Sequence, residues 1–523
     1  MTDEETPRRR GPRAVIVTVA ILVVAALAVY GILPLFIGSR DATDPEPGPL
    51  PAVPAGTVEA FGAQEPEWWD CADGKQCADV HAPLDWADPA GDRITLRLVK
   101  QPAAGGDPIG TLFVNPGGPG ASGAGFVAGG VDGSVTQEVQ AAYDIVGWDP
   151  RGVGASTPVD CLDDADMDAY LFGEDETEDL EPGSDEWIAS AVENSTEFGD
   201  ACAAETGPLL AHVGTDETVQ DLDMLRAIVG ADTLDYIGYS YGTLIGARYA
   251  DAYPERVGRL VLDGAMDPET SEFDVVREQT RGFEEALRTY VADCLERDGC
   301  PLSGSVDGAM SQIGDLLHRV DEQPLTGDDG RTVTVNTLLT AIITPLYSPD
   351  SWTALDDLFA TVATGDPQVA LSLADFYFNR EDGEYTDNQT EAFFAINCAD
   401  YGSDLDPDRM REQAEELERI APTIGPYQGY GDVSCAGWPT AGESQRSAVT
   451  AAGAAPILVV GTTGDPATPY RWAEALAAQL ESGVLVTYQG EGHTAYGENA
   501  CVDRTVDAYL LEGAVPAQDP VCA

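Results

Sequence analysis

The chain has 523 residues, 43% of them hydrophobic. That is ample for a buried core and too long for one typical domain, which implies a large domain with an insertion or two packed domains. Asp and Glu number 91 against 27 Lys and Arg, a net charge of −64, so a phosphate polymer would be repelled and nucleic-acid binding is excluded as a function class.

The first forty residues reverse that charge. Arg8, Arg9, Arg10, Arg13 and Arg40 face only Asp3, Glu4 and Glu5, a net of +2 that leaves −66 on the rest. Residues 14–38 are free of charge over 25 positions, long enough to cross a hydrocarbon core of about 30 Å. Basic residues before it and acidic residues after it place the N-terminus in the cytoplasm and the remainder outside. The run exceeds the apolar part of an ordinary signal peptide and ends without a clear small-x-small site, which favours an uncleaved anchor over a cleaved signal. The expected location is the cell membrane with an extracellular catalytic domain, the alternative a secreted protein. Five prolines among residues 41–54 suit an extended spacer.

Ten cysteines, an even number, fit disulfides in an exported chain. Pairing neighbours in order gives Cys71–Cys77, Cys161–Cys202, Cys294–Cys300, Cys398–Cys435 and Cys501–Cys522. No CxxC spacing occurs and only four His exist, so no metal is expected.

Residues 94–98 alternate with period two and predict a strand. Runs at 111–114 and 144–148 predict two more, each ending at a Gly/Pro-rich loop. The acidic stretch 163–181 reads as a solvated surface loop. Apolar residues at 219, 222, 225, 228 and 229 have helical spacing, with Gly230 as a stop. A strand at 234–237, a helix from 241 and a strand at 259–262 follow. Between 266 and 445 the rhythm is lost and helices such as 283–296 and 408–420 dominate. Strands return at 456–460 and 483–488. Alternating buried strands and helices imply a mainly parallel sheet covered on both faces. No internal repeat is present. The expected division is a basic tail (1–13), a transmembrane anchor (14–38), a Pro-rich linker (39–65), a core in two parts (66–265 and 446–523) and a helical cap (266–445).

Gly238-Tyr239-Ser240-Tyr241-Gly242 is a G-x-S-x-G between a predicted strand and a predicted helix, the context in which a serine is exposed on a strained turn as a nucleophile. A serine hydroxyl needs a base. His81, His212 and His318 lie before or within predicted elements. His493 stands in a glycine loop near the C-terminus, after the strand 483–488. Asp465, just past the strand 456–460, would hold the imidazole; Asp263, after the strand 259–262, competes for that role. The order Ser, acid, His favours Asp465. Oxyanion donors are expected at the backbone N–H of Tyr241 and in the loop 115–120. Pro116 and Pro119 have no N–H, and Gly118 is the choice among Gly117, Gly118 and Gly120. Residues 118–123 also match G-x-G-x-x-G, but the proline inside removes a donor that a pyrophosphate would need, and a dinucleotide site leaves Ser240, Asp465 and His493 unexplained.

The ordered set NPGGPGASG, DPRGVGAS, GYSYGT, LVLDGAMDP, AINCAD, GTTGDPATP and GEGHTAYG resembles the secreted bacterial tripeptidyl aminopeptidases. These are α/β-hydrolase-fold serine peptidases related to prolyl aminopeptidases. The resemblance runs from about residue 68 to 522. It implies an α/β-hydrolase fold, a Ser240, Asp465 and His493 triad, Gly118 and Tyr241 as oxyanion donors, and a cap over the active site. It implies peptide substrates cut near a free N-terminus, no cofactor and no metal; a monomer is expected. The acid that would bind the substrate amine is not identified by the sequence, and Asp400 in the AINCAD segment is the candidate. An esterase or lipase using the same triad, and a non-catalytic binding module on the same fold, are the other readings. The acidic surface suits solvation in wall or salt conditions, with steering of cationic peptides as a secondary effect.

Overall fold

The computed structural model describes residues 47–72, 74–173, 180–440 and 446–523. The predicted anchor lies outside them. No helix among the described residues is long and apolar enough to cross a membrane.

Ten strands form one sheet. They are β1 (Trp69–Ala72), β2 (Lys75–Pro83), β3 (Arg93–Gln101), β4 (Gly110–Asn115), β5 (Tyr143–Trp148), β6 (Leu234–Tyr239), β7 (Val257–Asp263), β8 (Ile457–Gly464), β9 (Gly483–Glu491) and β10 (Val521–Cys522). The spatial order is β1-β2-β3-β5-β4-β6-β7-β8-β9-β10. β1, β2, β3 and β5 pair antiparallel. From β5 to β10 every pairing is parallel. Successive residues of the central strands point to opposite faces and both faces are buried, as a doubly covered sheet requires. Leu112, Val114, Ile237, Leu458 and Val460 face α1 (Gly123–Gly129) and the C-terminal helix Ala500–Glu512. Phe113, Tyr236, Ile457 and Val459 face the other side.

Two departures from the sequence reading have local causes. Residues 163–181 are not simply a loop. Asp164–Phe172 is a helix, α2, whose N-cap Asp163 accepts from the Asp166 N–H, with Met167, Leu171 and Phe172 buried. Its acids cluster where a cap and a helix N-terminus favour them, and they hide a short apolar face. The proline-rich stretch is largely exposed but is fixed to the sheet at separate points from Gly48 on. Gly48 N–H donates to Asp79 at 2.9 Å, Phe61 is buried in the core, and Gln64 pairs with the backbone of His81.

The helices α3 (Asp185–Thr206) and α4 (Thr215–Ile228) connect β5 to β6, and α5 (Tyr241–Ala252) connects β6 to β7. Between β7 and β8 the chain leaves the sheet for a mainly helical stretch. It opens with α6 (Glu272–Glu296), started by a Ser271/Asp274 capping box, and includes α7 (Val306–Glu322), α8 (Val335–Leu346), α9 (Gln389–Asp400) and α10 (Pro407–Ile420). The helical layer is not confined to this stretch, because Phe198 of α3 packs on Phe394 of α9 at 5.5 Å. Five disulfides join the cysteines in the order expected.

Candidate active site

Ser240 stands between the end of β6 and the start of α5 at φ 55°, ψ −123°. That backbone is costly for a residue with a Cβ. It is held by the Ser240 N–H donating to the Asp263 carbonyl at 2.9 Å and by Thr243, whose N–H and hydroxyl both donate to the Ser240 carbonyl. The flanking glycines are a packing necessity. A Cβ on Gly238 would stand 2.3 Å from the Gly242 carbonyl oxygen, and one on Gly242 2.7 Å from that of Asn115. Ser240 is buried, and its Oγ has no hydrogen-bond partner among the described residues.

His493 and Asp465 meet in the loops that leave β9 and β8. Nδ1 of His493 lies 2.9 and 3.0 Å from the two carboxylate oxygens of Asp465. With Nδ1–H donating, Nε2 keeps its lone pair, and Nε2 is buried without a partner among the described residues. Asp465 is itself fixed. It accepts from the N–H groups of Ala467 and Thr468 at 2.9 and 2.8 Å and from the Thr468 hydroxyl at 2.8 Å. The His493 N–H donates to the Tyr347 carbonyl at 2.8 Å, tying the loop to the segment after α8.

Asp263, the competing acid, serves another partner. It accepts from the backbone N–H groups of Ala495 and Tyr496 at 2.8 to 3.1 Å, so it pins the chain just past His493 and not the ring. Burial pushes its carboxyl up to about 6, against those two backbone donors. His81 lies on β2, the His212 carbonyl accepts from Arg151, and His318 is exposed on α7.

The loop after β4 passes beside Ser240. Gly117 N–H is engaged by the Asn115 side chain at 3.0 Å, whereas the N–H groups of Gly118 and Tyr241 have no acceptor among the described residues. Gly118 adopts φ 102°, a conformation that side chains rarely take. The loop is braced by Asp149, which accepts from the Ser122 hydroxyl at 2.5 Å and from the N–H groups of Ala124 and Ala155. Arg151 of the same DPRG segment forks onto Asp221 at 2.7 Å and donates to three carbonyls, so it is a structural cation.

An open cleft of about 730 Å³, counted out into solvent, lies over Gly118 and Tyr241 and runs beneath α6 and α9; Ser240 and His493 are not part of its lining. Met266, Val276, Phe393 and Phe394 give it apolar walls. Glu272, on the first turn of α6, lines it. Its Oε2 is buried with no partner among the described residues, and burial together with nearby Asp432 pushes its carboxyl up to about 8. Asp400 does not line this cleft. Its carboxylate accepts from the Thr215 N–H and hydroxyl and borders a neighbouring cavity. Among the described residues no group of His, Cys, Asp and Glu is arranged to hold a metal ion.

The sequence reading missed Thr468, Asp149 and Glu272. Thr468 and Asp149 had only a faint signal, as polar residues inside glycine-rich turns. Glu272 had none, because its importance lies in what its helix end faces.

Residues 421–522 match the model of a family described as TAP-like protein. Serine protease Hip1 of Mycobacterium tuberculosis is 36% identical over 482 residues, 88% of this chain and 91% of that protein. Carboxylesterase B of the same species is 33% identical, covering 86% of each chain. Tripeptidyl aminopeptidase of Streptomyces lividans is 29% identical, covering 87% of this chain and 86% of that protein.

Proposed function

The chain belongs to the TAP-like family of α/β-hydrolase-fold serine hydrolases, and on that premise we propose that it is an exported peptidase releasing short peptides from free N-termini. In this reading Ser240 is the nucleophile, His493 the base and Asp465 the orienting acid. The hydroxyl proton passes to His493 Nε2 as Oγ attacks the peptide carbonyl carbon. The oxyanion takes the N–H groups of Gly118 and Tyr241. Nε2–H is then given to the leaving amine, the C–N bond breaks, and water activated by His493 hydrolyses the acyl ester. Asp465 stabilises the imidazolium through Nδ1–H and needs no proton of its own.

The observation that carries the free-N-terminus part is Glu272. A carboxyl group with an unsatisfied buried oxygen, in the cleft lined by Gly118 and Tyr241, suits a substrate ammonium once it ionises. The apolar walls suit the side chains of the released segment. Export rests on the five disulfides and on the Arg-flanked apolar run. An immunoblot showing the full-length size in the membrane fraction supports the anchor; loss of about forty residues gives the secreted form.

A library of peptides with free or acetylated N-termini, read by mass spectrometry, tests the activity. Products from free N-termini alone, absent with Ser240→Ala, support it. Equal cleavage of blocked and free peptides contradicts it, and hydrolysis of simple esters without any peptide product leaves the carboxylesterase reading.

A further inference from the structure

Cations are scarce in this protein, 27 against 91 acids, and most of those near the site are neutralised. Arg248 forks onto Asp216. Arg277, Arg281 and Arg471 converge on Glu278. Arg446 differs. Its Nε and Nη1 are buried and find no acceptor among the described residues. Its guanidinium lies 4.2 Å from the ring centroid of Tyr401, which fixes the plane of the fork. It lines the cleft shared by Gly118, Tyr241 and Glu272 and also borders the cavity of about 630 Å³ behind Asp400.

A structural role as counter-charge to Asp400 accounts for part of this. Arg446 favours the charged form of that carboxylate, although burial still pushes Asp400 upward. The bonds to Asp400 come from Thr215 instead, and Nε and Nη1 of the guanidinium stay open. A buried donor without an acceptor is expensive, and a guanidinium fork matches a carboxylate in two parallel hydrogen bonds.

We propose that Arg446 is a carboxylate-binding residue of the cleft, so that the enzyme selects substrates bearing an acidic group in the portion the cleft encloses. The carboxylate comes from an Asp or Glu side chain of the released segment or from the C-terminus of a short peptide. The proposal rests on the hydrolase reading only for where the substrate lies; binding itself needs no turnover.

The test uses the full-length Ser240→Ala protein and calorimetry. The ligands are free-N-terminus hexapeptides with Glu or Gln at each of the first three positions, with free or amidated C-termini. One Glu peptide is expected to bind about 10-fold tighter than its Gln partner. That difference should fall to within about twofold when Arg446→Met is added and be partly kept in Arg446→Lys. If the gain follows the C-terminal carboxylate instead, the same Arg446 dependence assigns that source. A Glu/Gln difference that persists in a folded Arg446→Met protein of lowered melting temperature leaves only the Asp400 counter-charge and overturns the proposal. Equal binding of all the peptides overturns it too. If Arg446→Met does not fold, Arg446→Lys carries the test, and an unchanged Glu/Gln preference with weakened binding of both peptides contradicts it. Should the wild type hydrolyse no peptide while acidic peptides still bind through Arg446, the peptidase reading fails and this one stands.

Discussion

Asp465 is a buried carboxyl group in a loop of the sheet, and Glu272, half-buried at a helix end above it, has one buried carboxyl oxygen. Asp465 receives two backbone N–H groups, the Thr468 hydroxyl and the His493 ring. Glu272 leaves Oε2 without a partner and is pushed up to about 8. Asp263 resembles the first, with two backbone donors of its own. The carboxyl ends of the central strands thus hold their acids in place before substrate arrives, as electrostatic preorganisation requires. On the sheet side the open groups are the reacting ones, Ser240 Oγ and His493 Nε2, whereas the helical layer leaves open the ionisable side chains Glu272 and Arg446, each at a cost that a bound partner would offset. In the proposed function bond-breaking and substrate choice are separated along this boundary, so variants on either side should fail in different ways.

The largest expected effect is on the sheet side. Ser240→Ala should lower kcat by at least about 10⁴-fold with circular dichroism and melting temperature nearly unchanged, and should abolish labelling by a fluorophosphonate. Next come the two acids. Asp465→Asn should cost about 10⁴-fold in kcat by favouring the wrong imidazole tautomer. Asp263→Asn should act mainly on the fold, lowering stability by about 1–3 kcal/mol because backbone donors lose a charged acceptor. Comparable activity losses from both would erase the distinction between ring holder and loop holder. Gly118→Ala should cost about 10²–10³-fold in kcat by disturbing one oxyanion donor. Its Cβ would meet the Gly120 and Ala121 nitrogens at 2.9 Å.

A pH dependence should appear on the other side. Glu272 is raised from the ordinary 4.5 to about 8, so it is protonated in the free protein at neutral pH and must ionise to hold an ammonium. KM for free-N-terminus peptides should therefore fall as pH rises from 6 toward 8, where the substrate amine itself begins to deprotonate at about 7.7–8.0. Because the folded state retains this proton and the unfolded chain does not, stability should also decrease as pH rises from 4.5 through 8. Glu272→Gln should weaken both trends.

The same boundary separates what the sequence reveals from what it does not. The strand at Ile457–Gly464, the turn at Ser240 and the loop of His493 are each specified by neighbours in sequence, through apolar runs followed by glycine. Asp465 and Asp263 both follow strands, and order alone separates them; the physical reason, that Ala495 and Tyr496 occupy Asp263, is a contact across 232 and 233 residues. Residues 163–181 concealed a helix because capping acids and solvent-facing acids look alike in composition. Asp400 suggested itself through its motif, yet Thr215, 185 positions away, takes its carboxylate. Glu272 and Arg446 stand in no motif, and only the packing of α6, α9 and Tyr401 places them on one cleft.

The separation itself is tested most directly by giving the wild type and Glu272→Gln two substrates, a small uncharged ester and a free-N-terminus peptide. The expected result is an ester kcat/KM within about twofold of wild type and a peptide kcat/KM reduced at least about tenfold, through KM. An equal loss on both substrates would show that Glu272 supports the catalytic loops instead of selecting the substrate, and would contradict the account.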